Sequence, residues 1–178
     1  MKKLLASLVA VFALLPAQAA SADVLNLSAG VFPDDQLAAL SSTGDPFAVG
    51  GGTAGITQFA FSAHCKSATG TCSSSGTAPS GYAVVSDPTL GEAQGHVCAY
   101  RTLTTNPNQA QFWVVVEKGS GTLGSFPVLV FKASDFGGEP PNGVPDELTI
   151  FGAFSCGTSS LGLTGGPVVQ GNVVVKNG

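Results

Sequence analysis

The chain has 178 residues, a formal net charge of -4 and only 10% charged side chains, with 24 glycines, 11 phenylalanines and four cysteines. An acidic chain with seven Lys and Arg residues lacks the basic patch that nucleic acid or an anionic lipid surface requires. Its 44% hydrophobic content and low charge exclude the disordered class, which is poor in aliphatics and highly charged.

Residues 1–22 read as a secretory signal peptide. Lys2 and Lys3 form a positive start, an apolar stretch runs from Leu4 to Leu15, and Pro16 breaks it ahead of two small-residue cleavage motifs, Ala17-Gln18-Ala19 and Ala20-Ser21-Ala22. The apolar stretch is too short to span a bilayer core of about 30 Å at about 1.5 Å per residue. No later apolar run reaches membrane length, so the expectation is export without membrane insertion, to the periplasm or beyond. Cleavage would remove Lys2 and Lys3 and take the net charge from -4 to -6. Residues 23–178 then suit a single domain.

Beyond the signal the chain punctuates like a β-protein. A strand is expected near residues 24–27, and Pro33 to Leu40 can make a short helical turn that Gly44, Asp45 and Pro46 stop. Further strands are expected over 56–65, 81–86, 96–104, 110–118, 125–133, 147–155 and 168–176, each rich in Val, Phe, Thr or Tyr and bounded by Gly, Pro, Asn or Ser. The stretch 73–81, rich in Ser, Gly and Pro, reads as an exposed loop. Alternation puts Phe59, Phe61, Ala63 and Cys65 on a buried face, opposite Gln58, Ser62 and His64. In Gln111 to Lys118 both parities are apolar, so that strand should be covered on both sides, or else Trp113 lies at an interface. About eight strands with closely spaced turns imply an all-β fold, a two-sheet antiparallel sandwich of jelly-roll or immunoglobulin-like kind.

An exported chain with Cys65, Cys72, Cys98 and Cys156 reads as carrying two disulfides, for which three connectivities exist. The preferred pairing is Cys65 with Cys72 and Cys98 with Cys156. Chain entropy gives about 2.5 kcal/mol for the short loop and about 4 for the long one. A zinc site using His64 and His96 beside Cys65 and Cys98 is the rival, weakened because His64 and Cys65 point to opposite faces of a strand.

Between Ser134 and Glu147 four of the eleven acidic residues gather in one proline-bounded loop. Calcium wants six to eight oxygens at about 2.3–2.6 Å, and Asp135, Glu139, Asn142 and Asp146, with Glu147, could supply some of them. The spacing is not that of an EF-hand. Asn142 to Asp146 resembles the tail of the calcium repeats of thrombospondin-type modules, but the further upstream Asp residues of those repeats are replaced here. The competing reading is a turn whose carboxylates bond to backbone. Ser62 or Ser86 could be imagined as a nucleophile beside a histidine, yet no nucleophile-elbow, zinc-protease or phosphate-loop motif is present. Trp113, Tyr82 and Tyr100 are the rings that could stack on a sugar.

Taken in order, residues 58–64, Gly95-His96-Val97, residues 110–116, the acidic loop through Ile150, and residues 171–175 resemble a group of uncharacterised exported bacterial β-sandwich domains. That resemblance spans roughly residues 51–176 and implies fold and export, with no activity to carry over. The reading at this level is a secreted, non-enzymatic structural or binding domain for an extracellular glycan or protein, with no cofactor. The alternatives are an exported hydrolase acting on glycans, with Glu139 or Asp146 near Trp113 or a histidine, and a calcium-stabilised carbohydrate-binding module.

Overall fold

A computed structural model describes residues 44–67, 69–103, 108–137, 143–158 and 161–177. The expected signal peptide, the strand over 24–27 and the helical turn over 33–40 lie outside them, as do Glu139, Pro140, Pro141 and Asn142.

Among the described residues the strands are β1 (Phe47–Ala54), β2 (Thr57–His64), β3 (Thr71–Ser73), β4 (Ser80–Asp87), β5 (Gly91–Leu103), β6 (Asn108–Ser120), β7 (Val128–Asp135), β8 (Glu147–Ala153) and β9 (Leu161–Lys176), with a short helix, α1 (Gly121–Ser125), between β6 and β7. All pairings are antiparallel, in the order β3-β5-β4-β2-β1-β9-β8-β7-β6, and β5 also pairs with β6. That last pairing closes eight strands into a barrel, with β3 outside the ring. It lies along the same edge of β5 as β4, against Ala99 to Arg101.

The expected two-sheet sandwich, and the sandwich implied by the resemblance, are therefore incorrect. The strands form one closed barrel. The physical reason lies in β1, whose Gly50-Gly51-Gly52 core reads as a turn by propensity. That strand joins β2 to β9, and a ring cannot be seen without it. The first half of β9, with Gly162, Gly165, Gly166 and Pro167, was likewise hidden. Gly50, Gly52, Gly165 and Gly171 answer close approaches. A Cβ on Gly50 would come within 2.8 Å of the Phe61 ring. At the seam, Gly52 faces Gly171 across the β1–β9 pair, and a Cβ on either would meet the other strand's backbone oxygen at 2.0 Å. Closure also removes the exposed sheet edges that an open sandwich would have to protect.

Alternation sorts the two faces as the sequence indicated for β2. Phe59, Phe61 and Ala63 are buried inside, while Ser62 and His64 lie on the outer wall. Inside, the Phe61 and Phe112 rings lie 5.0 Å apart, and Phe112 stacks on Phe131 at 5.2 Å. Leu123 of α1, wholly buried, closes one end, its N–H bonded to the Leu90 carbonyl. The disulfide Cys65–Cys72 packs into the core with them. Charged side chains such as Glu92, Glu117 and Arg101 point outward. This is the inverse of a membrane barrel, which is apolar outside and polar inside.

β6 is covered on both sides only over Phe112 to Val114, and Val115 beyond them is exposed. Phe112 and Val114 face the interior, whereas Trp113 is buried outside, in a small cluster with Ala99, Val128, Val130 and Ala153. The ladder between β5 and β6 slips at Cys98, so Val97 joins the interior and Ala99 the outer cluster. The second disulfide, Cys98–Cys156, borders that cluster. Both disulfides follow the expected pairing. Cys156 sits three residues beyond β8, which stops at Ala153, two residues short of the expected end at 155. The expected 73–81 loop holds the end of β3 and the start of β4.

Candidate functional site

The acidic loop starts at the foot of β7 and returns as β8. Because β8 stops at Glu147, opposite Pro167, the lower half of β9 has no ladder partner on that side. Carboxylates take the place of the missing strand. Asp146 accepts the Val173 N–H at 2.9 Å with one oxygen and the Phe136 N–H at 2.9 Å with the other, and its carbonyl accepts the Val168 N–H. Asp135 accepts the Val175 N–H at 3.1 Å and the Gly137 N–H at 2.9 Å. Two of the four expected calcium ligands thus spend their oxygens on backbone amides, and Glu139 and Asn142 lie outside the described residues. Among the described residues no group of three His, Cys, Asp or Glu side chains is arranged to hold a metal ion.

Asp146 is buried, which pushes its carboxyl up; the two amide bonds pull it back and the nearby Asp135 charge pushes it up again, leaving it above its usual range. A raised folded-state value means that this group's contribution to stability is present at low pH and lost as pH rises through that value. Replacing Asp146 by Asn should nevertheless lower stability at neutral pH by roughly 1–3 kcal/mol, since an amide NH2 must face one of the two N–H donors. Equilibrium unfolding of the two proteins in denaturant measures the difference.

On the opposite part of the wall, cross-strand register builds a polar row. Ser62 lies opposite Tyr82, Tyr82 opposite His96, and His96 opposite Val115. Tyr82 and His96 meet edge to face at 5.0 Å. Glu117, two residues along β6 from Val115, accepts a hydrogen bond from His96 Nδ1 at 2.7 Å, with the histidine side chain 66% exposed. At the other end Ser62 Oγ and His64 Nε2 are 2.8 Å apart. Burial, and then the neighbouring Lys66 charge, hold the His64 imidazole below its ordinary range. Both histidines of the chain therefore lie on one outer wall, with Tyr82 between them.

The remaining residues singled out from sequence go elsewhere. All four cysteines are oxidised, so the zinc reading loses its thiolates. Tyr100 is buried in the interior, where burial pushes its phenol up and its hydroxyl has no partner among the described residues. Trp113 donates its Nε1–H to the Thr158 carbonyl at 3.1 Å, and the Arg101 guanidinium lies 5.3 Å from its ring. Of the three rings considered for sugar stacking, only Tyr82 stands on the accessible wall. Asp146 is not brought to Trp113 or to a histidine. Sequence reasoning missed Glu117 as the partner of His96, because the contact depends on strand register. It also missed Asp87, although Asp87-Pro88-Thr89 carries the signature of an Asx turn.

No protein-family model, curated protein or solved structure matches this chain.

Proposed function

We propose that the chain is an exported, non-enzymatic binding or structural domain, a disulfide-braced β-barrel that engages an extracellular ligand through its outer wall. The observation that carries this reading is the filled interior. Stacked phenylalanines occupy the barrel and Leu123 closes one end, leaving the wall as the surface a ligand meets. Two disulfides suit an oxidising compartment, in line with the signal-peptide reading of residues 1–22. The row Ser62, Tyr82, His96 and Glu117 offers hydroxyl, imidazole, carboxylate and ring edges within one sheet face, a set suited to a hydroxyl-rich glycan or a polar protein segment.

Asp135, Asp146 and His64 favour binding over turnover through where their bonds go, and among the described residues His96 alone of the two histidines is paired with a carboxylate, that of Glu117. Asp135 and Asp146 are bonded to backbone amides, and no carboxylate is hydrogen-bonded to His64 among the described residues. A glycan array probed with residues 23–178 tests the reading. Tyr82→Ala combined with His96→Ala should weaken any captured glycan by roughly tenfold or more at unchanged melting temperature, as loss of about 1–3 kcal/mol of stacking and hydrogen bonding requires. Binding indifferent to that pair, or glycoside hydrolysis abolished by changing Asp146 or His96, would overturn it.

A further inference from the structure

The two disulfides differ in how an attacking thiolate can reach them. Cys65 and Cys72 are 0% and 2% exposed and belong to the interior core. Cys98 and Cys156 are each only partly buried and sit on the outer wall. Exchange begins with a thiolate striking one sulfur along the disulfide axis, so access decides which bond reacts.

The partly exposed disulfide anchors a strap. Residues 154–158 leave β8, turn back on themselves through the Thr158 hydroxyl donating to the Ser155 carbonyl, and lie over the outer cluster of Trp113, Val128, Val130 and Ala153. Beyond the disulfide, the strap is held to the wall by the Trp113 Nε1–H bond to the Thr158 carbonyl, and Phe154, 76% exposed, reaches Phe126 only at 6.2 Å between ring centroids. None of these contacts belongs to the ladder that closes the barrel.

We propose that Cys98–Cys156 is a thiol-exchange site for a dithiol reductant, either a small dithiol or a dithiol oxidoreductase of the exported compartment, and that its opening releases the strap and uncovers the Trp113 patch. One thiolate of the reductant bonds to the sulfur of Cys98 or Cys156 and expels the other as a thiolate, which takes up a proton. The second thiol of the reductant then attacks the mixed disulfide, leaving two cysteine thiols and an oxidised reductant. Two electrons pass to the protein. Cys65–Cys72 remains closed, and with it the barrel. This inference stands independently of what the Tyr82 and His96 wall binds.

Trp113 is the only tryptophan in the chain, so its emission reports the strap directly. The oxidised protein is treated with graded dithiothreitol, sampled by alkylation and peptide mapping, and followed by tryptophan fluorescence and far-ultraviolet circular dichroism. Cys98 and Cys156 should be alkylated roughly tenfold or more faster than Cys65 and Cys72. Trp113 emission should move to longer wavelength over the same range while the strand signal is kept. The double variant Cys98→Ser, Cys156→Ser should show the shifted emission without reductant; should it fail to fold, the titration of the unaltered protein decides. Alkylation of all four cysteines in one transition with loss of the strand signal, resistance of Cys98–Cys156 up to that transition, or unmoved Trp113 emission after its cleavage would each overturn the proposal.

Discussion

Replacing Asp87 by alanine should lower the unfolding free energy by about 3–5 kcal/mol, because a single buried carboxylate serves four donors whose loss leaves several of them unpaired. One oxygen accepts the Thr57 hydroxyl at 2.6 Å. The other accepts the Thr89 N–H at 2.8 Å, the Thr89 hydroxyl at 2.7 Å and the Leu90 N–H at 3.0 Å. The first bond ties the β4–β5 hairpin to the β1–β2 hairpin, and Thr57 also meets Thr164 Oγ1 of β9 at 3.1 Å. Leu90 in turn accepts the Leu123 N–H of α1. One side chain therefore links two hairpin ends, and through Thr57 and Leu90 it reaches β9 and the helix that closes the barrel. Denaturant unfolding at neutral pH measures the loss, and a change under about 1 kcal/mol would show that the network is dispensable.

The same residue sets an acid limb. Burial alone would push the Asp87 carboxyl up, but the bonds from Thr57, Thr89 and Leu90 outweigh it and hold the group down at about 2, against an ordinary value of 3.8. A depressed folded-state value contributes stability that is present above 3.8 and lost as pH falls through about 2. Asp146, whose carboxyl is raised, acts with the opposite sign, so its protonation offsets part of that loss. Asp87→Asn should flatten the acid limb, its deficit shrinking as the pH approaches about 2. An unchanged slope of stability against pH in this variant would assign the acid limb to other carboxylates.

Strands whose Val, Phe and Thr alternate were legible in the sequence because their side chains carry the burial signal. β2 and β6 show it, and so does the pairing of the cysteines, which depends on export and loop length. What escaped was set by backbone. β1 has glycine where the Phe61 ring needs room and where β9 comes close, and no propensity scale reads a glycine run as the strand that closes a ring. The acidic loop was legible as a concentration of carboxylates, and the competing turn reading named their destination in general terms. That the acceptors would serve Val173 and Val175 of a distant strand follows from β8 being shorter than β9, a mismatch that only the assembled barrel defines. The His96–Glu117 contact and the Thr57–Asp87 bond are likewise products of register and closure.

The interior offers the second large effect. Phe112→Ala should cost about 3–5 kcal/mol, the range for emptying a buried aromatic site, and Phe112→Leu considerably less. Phe112 is fully buried between Phe61 at 5.0 Å and the stacked Phe131 at 5.2 Å. The ring lies opposite Tyr100 on one side and Phe131 on the other in the β5–β6–β7 ladder, so its neighbours belong to continuous strands that cannot collapse inward without breaking ladder bonds. The alanine variant should therefore keep its barrel and carry an apolar void. Such voids stay dry and accept small apolar molecules. Benzene should raise the melting temperature of Phe112→Ala and leave the unaltered protein unmoved, whereas a polar solute of similar size should shift neither protein. Stabilisation of the unaltered protein by benzene would mean that the interior has room of its own, and the argument that assigns ligand contacts to the outer wall would fall with it.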